Sequence, residues 1–281
     1  MAAPARSSHK LLRDVARWGC QYQNLDIAAL ADSDLDMIVI EPSLNDDLGL
    51  FVSPDEIEVL KRKPNDGRRL VIGYLSIGEV DTKRWYWPEH WRRDPPAWLG
   101  SENPAWPGSH PVRYWEDGWI DLLLGTEPGL LNLLLDRGYD GVLLDRVDAF
   151  TDWRMSVPDA DRRMVALVVQ IAKAARKKRR GFLLLTQNAE PLLQYDAYRQ
   201  NIDGMNKESL LTGLRCQDCM NSAEDVTWSL DFIEKARNDG LKLFATEYLS
   251  DSALIEPVRK RLAYLGFTPF LGVRNLDKLP I

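Results

Sequence analysis

Short apolar runs recur along this chain, each bounded by turn residues and most closing on a polar side chain, with amphipathic segments between them. The clearest is YDGVLLDRVDAF, 139–150, where Val142, Leu143 and Leu144 follow a Gly and stop at Asp145 and Asp148. A run so short and so uniformly apolar predicts a strand buried on both faces, as in a parallel sheet. The same pattern predicts strands over 18–22, 37–40, 70–75, 141–144, 182–186, 202–205, 242–246 and 268–272. Helical spacing and end signals fill the intervals. Ser53-Pro54-Asp55-Glu56 reads as a capping box with Pro in the first turn. A helix over 127–137 stops at Gly138, a C-cap signal. Over 158–180, Met164, Val165, Val168, Ile171 and Ala175 share a helical face. Further helices are predicted over 222–239, opened by Ser222 and closed by Gly240, and over 257–265, closed by Gly266. Eight strands alternating with helices in 281 residues predict a single-domain α/β protein, a (β/α)8 TIM barrel. A doubly wound open sheet is the structural alternative.

In parallel α/β folds, ligands sit at the C-terminal ends of the strands. The polar groups at those ends are Glu41, Glu79, Asp145, Asn188, Glu208, Glu247 and Arg274, expected on one face of the barrel. The sixth predicted strand stops at 205, which leaves Glu208 slightly beyond it. One segment, 76–126, breaks the rhythm and shows no clear periodicity. It holds seven of the ten tryptophans (Trp85, Trp87, Trp91, Trp98, Trp106, Trp115 and Trp119) and six prolines. Structureless loops of that length inside a domain are usually functional. Most of these tryptophans are expected to form a satellite core that pins the loop. One or two, Trp115 first, are expected to face the cleft, because sugars present apolar C–H faces that pack on aromatic rings.

Composition narrows the chemistry. An apolar content of 45% supports one large core, with residues 1–12 expected to be disordered and the barrel to run over 13–281. No run approaches the roughly 18 apolar residues of a membrane span. The six basic residues within 173–180 close a predicted helix, where cations suit the dipole, and the net charge of −6 argues against a nucleic-acid partner. The start, MAAPARSS, lacks the apolar stretch of a signal peptide; it reads either as the remnant of a processed secretory protein or as a cytoplasmic start. Cys216 and Cys219 read as a surface disulfide or as two free thiols, and Cys20 as core. The three histidines, His9, His90 and His110, lie away from the predicted strand ends, which disfavours a histidine metal site or a Ser-His-Asp mechanism. No metal or cofactor is expected. Carboxylate chemistry remains: glycosidic cleavage needs one carboxyl to protonate the leaving oxygen and another to attack or stabilise the sugar centre. If the sugar is an amine, Glu79, Asp148 and Glu247 are the acids expected to receive its ammonium groups.

Seven motifs in order, GYLSIGEV (73–80), NPAWPGSHPVRYW (103–115), YDGVLLDRVDAF (139–150), TQNAEPLL (186–193), IDGMNKESL (202–210), ATEYL (245–249) and GFTPFLGVRNLD (266–277), cover nearly the whole chain. Together they resemble the glycoside hydrolase family 114 superfamily, the endo-α-1,4-polygalactosaminidases and their poorly characterised bacterial and archaeal relatives, most of all the latter. The resemblance implies a TIM barrel, an endo-acting, retaining hydrolysis of an α-1,4-linked galactosamine-containing polysaccharide, and a secreted or periplasmic setting. Carried over by motif, the two catalytic carboxylates fall on Asp145 and Glu208. Substrate-binding positions fall on Tyr74 and Glu79 in GYLSIGE, Asn188 in TQNAE (which also carries Glu190), Glu247 and Tyr248 in ATEY, and Arg274 in GVRN; Trp115 and Asp148 join them from the reading of the residues above. The contrasting expectations are a carbohydrate-binding barrel that has lost turnover and a hydrolase of another glycan.

Overall fold

The structure, a computed structural model, describes residues 7–44, 49–104, 106–126 and 129–279. Its strands are β1 (Trp18–Gln21), β2 (Met37–Ile40), β3 (Leu70–Ser76), β4 (Glu79–Asp81), β5 (Ser109–Pro111), β6 (Gly141–Asp145), β7 (Leu183–Gln187), β8 (Gly204–Glu208), β9 (Lys242–Tyr248) and β10 (Thr268–Gly272). Eight of them form one parallel sheet in the order β1-β2-β3-β6-β7-β8-β9-β10. The sheet curls until its ends meet: Trp18 Nε1 donates to the Thr268 carbonyl at 2.9 Å, and the Tyr22 N–H donates to the Leu276 carbonyl at 2.8 Å. Helices surround this nearly closed cylinder, and the fold is a (β/α)8 TIM barrel.

Strand alternation builds two cores. Met37, Val39, Ile72, Leu143, Leu185, Phe244 and Phe270 fill the cylinder, while Ile38, Ile40, Val71, Val142, Leu144 and Leu184 pack outward beneath the helices. Both sets are nearly solvent-free, which is why the strands read as unbroken apolar runs. The capping box expected at Ser53 is present: its hydroxyl accepts from the Glu56 N–H, and Glu56 reaches back to the Ser53 N–H. Helix Ala160–Lys178 buries Met164, Val165, Val168, Ile171 and Ala175 as its spacing predicts. Cys216 and Cys219 form a disulfide, and Cys20 is a buried thiol. Among the described residues no helix is long and apolar enough to cross a membrane.

The first described residues form a helix, Ser7–Asp14, and Leu12 and Val15 belong to the interior cluster with Trp18 and plug one end of the cylinder. Three expectations shift. Strand β8 runs to Glu208 rather than stopping at 205; its inward side chains are polar, so the apolar signal ends before the strand does. The helix expected from 257 starts at Ser252, capped by Asp251, and carries Pro257 inside it. The segment 76–126 is not structureless: β4 and β5 pair as an antiparallel hairpin, and Asp117–Leu124 is a helix. The start expected for the next helix, 127–128, lies outside the described residues, and that helix is seen over Leu130–Asp136.

Candidate active site

The C-terminal ends of the barrel strands open into a cleft of about 420 Å³. Asp145, the last residue of β6, and Glu208, the last of β8, line it. Beneath them the buried side chain of Asn206 donates to Gln187 Oε1 at 3.2 Å and to Thr246 Oγ1 at 3.0 Å, a satisfied polar layer between the carboxylates and the apolar interior.

A tyrosine from the next strand holds each carboxylate. Tyr74 on β3 donates to Asp145 Oδ2 at 2.5 Å, and Tyr248 on β9 donates to Glu208 Oε1. Asn188 fixes Glu208 twice, donating to Oε2 at 3.0 Å and accepting from the Glu208 backbone N–H at 3.0 Å. An arginine covers each tyrosine ring: Arg84 Cζ lies 5.5 Å from the Tyr74 centroid and Arg274 Cζ 4.8 Å from that of Tyr248. Such cation–π placement orients the ring and strengthens its hydroxyl as a donor. Arg84 is in turn ion-paired with Glu41, so that strand-end acid is engaged behind Tyr74.

The backbone turns sharply where these groups are presented. Arg146 after β6, Asn188 and Ala189 after β7, and Ser209 after β8 all have positive φ, between 52° and 61°. Each such non-glycine residue costs of order 1–3 kcal/mol and persists only where its surroundings enforce it. Gly78 is one of the enforcers. A Cβ there would lie 2.2 Å from the Arg146 carbonyl oxygen and 2.4 Å from Ala149 Cβ, so only glycine lets the turn after β3 press against the turn after β6.

Among the described residues, four carboxylates line the cleft, Glu79, Asp145, Asp148 and Glu208, against two guanidinium groups, Arg146 and Arg274. Burial, and then repulsion from Glu208, push the Asp145 carboxyl above its ordinary range, with the Tyr74 hydrogen bond acting the other way. Burial also raises Glu79 and Asp148, opposed in each case by Arg146. Arg146 sits 3.4 Å from Glu79, 3.3 Å from Asp148 and 2.7 Å from Asp152. Burial, then Glu208, keep the Tyr248 phenol protonated far above its usual range, so it remains a donor. Among the described residues no group of three or more His, Cys, Asp or Glu side chains is arranged to hold a metal.

Of the expected site residues, Tyr74, Glu79, Asp145, Asp148, Asn188, Glu208, Tyr248 and Arg274 line the cleft together. Two do not. Glu247 precedes Tyr248 in β9, so alternation sends it to the opposite face. There, fully buried, it accepts from the N–H groups of Leu211 and Thr212 and from the Thr212 hydroxyl, tying β9 to the turn after β8. Trp115 packs edge-on against Tyr114 and Trp153, at 5.0 and 5.5 Å, with Arg163 over its ring. The cleft tryptophan is Trp106, 60% exposed. Trp87, Trp91, Trp98 and Trp119 form the satellite core, in contact at 4.9–5.3 Å. Sequence reasoning also passed over Tyr22, Asn103, Arg146 and Gln187 as cleft residues. The signal for Arg146 was its place between two flagged acids, and for Trp106 the turn NPAWPG around it.

Comparison with known proteins agrees with this geometry. An uncharacterised protein of Methanocaldococcus jannaschii is 30% identical over 93% of this chain and 77% of its own length. The glycoside hydrolase domain of PelA from Pseudomonas aeruginosa superposes with a TM-score of 0.74 at 21% identity, covering 95% of this chain and 98% of that one. Aspergillus fumigatus Ega3, solved in complex with galactosamine, superposes with a TM-score of 0.69 at 17% identity, covering 99% and 97%. The sequence profile of glycoside-hydrolase family GH114 matches residues 2–279, and the chain belongs to that family.

Proposed function

We propose that this glycoside hydrolase cleaves an α-1,4-linked, galactosamine-containing polysaccharide, endo-acting and with retention of configuration, using Asp145 as nucleophile and Glu208 as acid/base. The observation that carries this reading is the pair of carboxylates at the ends of β6 and β8, each with its own tyrosine donor, in a cleft where acids outnumber cations. Asp145 Oδ attacks the anomeric carbon while Glu208 gives its proton to the departing glycosidic oxygen, which leaves a glycosyl ester on Asp145. Glu208 then takes a proton from water, the water oxygen attacks the anomeric carbon, and Asp145 departs as carboxylate. Tyr74 and Asn188 keep the two carboxyls from rotating away. Glu79 and Asp148 stand where the ammonium group of an amino sugar would be received, and Trp106 offers a ring to a sugar face. The galactosamine bound to Ega3 supports that sugar class.

The test is turnover of de-N-acetylated against fully acetylated galactosaminoglycan at low and high salt. Activity should favour the deacetylated polymer and fall as salt screens the attraction. Asp145→Asn and Glu208→Gln should each cost at least about 10²–10⁴-fold, azide should rescue them differently, and NMR of the first product should show retained configuration. Near-normal turnover by either variant, or an inverted product, would overturn the assignment.

A further inference from the structure

A second concavity, of about 380 Å³, lies beside the cleft across the ends of β7 and β8. The same strand ends serve both hollows. Asn188 and Glu208 face the cleft, while Glu190 and Lys207 line the second hollow. Its other wall is the helix Ala223–Asn238. On that wall stands Trp228, 52% exposed, its ring set edge-on against Phe232 at 5.2 Å and 69°. Glu224 and Asp225 lie four and three residues earlier in the helix, on the face that carries Trp228, and both line the hollow. The floor is ordered: Glu190, 5% exposed, pairs with Lys207 at 3.1 Å and accepts from the Ser229 hydroxyl at 2.9 Å. The side chains of this helix that serve the core are Ile233 and Ala236, with the buried Ser229 closing the floor of the hollow. The indole therefore adds little to the core, and it sits in a concave, acid-lined surface.

We propose that this hollow is a second binding site for the amino-sugar polymer on which the cleft acts. The ligand class rests on the function proposed above. One sugar ring lays its C–H face on Trp228, and its ammonium group meets Glu224, beside Asp225, which is itself engaged by the Ser222 hydroxyl and Arg215. A chain held there and in the cleft at once gains from the high effective concentration of its second segment. The gain exists only for ligands long enough to span both hollows.

Affinity electrophoresis of the full chain carrying Asp145→Asn, in gels containing de-N-acetylated galactosaminoglycan, tests this. Adding Trp228→Ala should weaken the retardation by about tenfold, Glu224→Gln should weaken it less, and Trp228→Phe should restore most of it. Acetylated polymer or high salt should shrink the Glu224 effect and leave part of the Trp228 effect. Retardation unchanged by Trp228→Ala, or no retardation of the parent, would overturn the site. A parent that is retarded through Trp228 but whose unmutated form hydrolyses no such polymer would overturn the proposed reaction and leave the site standing. Hydrolysis by the unmutated chain with no Trp228 effect would do the reverse.

Discussion

At the scale of single residues, the site is a set of hydrogen bonds that hold two carboxyls in place. Asp145 is pushed up by burial and by Glu208 and pulled down by the Tyr74 hydroxyl. The acid limb of kcat/KM should therefore lie above the usual range of an aspartate. Tyr74→Phe removes the lowering contact, so the limb should move to higher pH, with a loss in kcat/KM of about 10- to 100-fold, as for a hydrogen bond to a charged group. A limb that stays in place would separate Tyr74 from Asp145. The same shift sets the sign of a stability effect. A carboxyl whose folded pKa is raised contributes most below its unfolded pKa, and that contribution is lost as pH rises through the folded value. Above that folded value the buried Asp145 carboxylate thus weakens the fold. Asp145→Asn should melt no lower than the parent at pH 7, and any gain should shrink on acidification in a thermal melt.

At the scale of elements, the turns after β3, β6, β7 and β8 place these groups, and Gly78 is where two of them touch. Gly78→Ala should displace the Arg146–Ala149 turn, because the atoms it meets belong to backbone and to a stub side chain that cannot swing aside. Overpacking of this kind costs typically 1–3 kcal/mol. Turnover should fall further than stability does, since the displaced turn directly follows Asp145. Denaturant melts paired with kinetics check this, and full activity in Gly78→Ala would show that the turn is not under this constraint. Glu247 belongs to the same scale. As a strand neighbour of Tyr248 it cannot share its face, and it serves as a buried anchor for the turn that follows Glu208.

At the scale of the whole molecule, the cylinder needs a plug as well as a cleft. Leu12 and Val15 enter the interior cluster beside Trp18, whose ring packs on Phe244 and Phe270 at 5.0 and 5.6 Å. Leu12→Ala should cost roughly 2–5 kcal/mol in urea unfolding, and a chain starting at residue 13 should lose at least as much. No change in either would mean the Ser7–Asp14 helix is not part of the cooperative unit. The acid excess of the cleft also belongs to this scale, because β3, β6 and β8 and the loops after them each contribute to it.

Much of this was legible in the chain. Eight apolar runs separated by capped helices point to a parallel α/β fold with the strand count of a barrel, because strands buried on both faces leave a clear local pattern, and Asp145 stands where the clearest run stops. The seven ordered motifs pointed to the family, and eight of the residues expected at the site line the cleft. The tertiary structure decided what local pattern cannot carry. β8 ends in Asn206, Lys207 and Glu208, of which the first and last face inward, so its true length, and with it the placement of Glu208, appears only once β7 and β9 pair with it. Tyr74 finds Asp145 across 71 residues, and Tyr248 finds Glu208 across 40. Trp106 and Trp115 occupy one aromatic loop with similar surroundings in sequence, and the packing of Trp153 and Arg163 around Trp115 leaves Trp106 to the cleft. Periodicity reports which face of an element is buried; which distant side chains meet on that face follows from strand register and barrel closure.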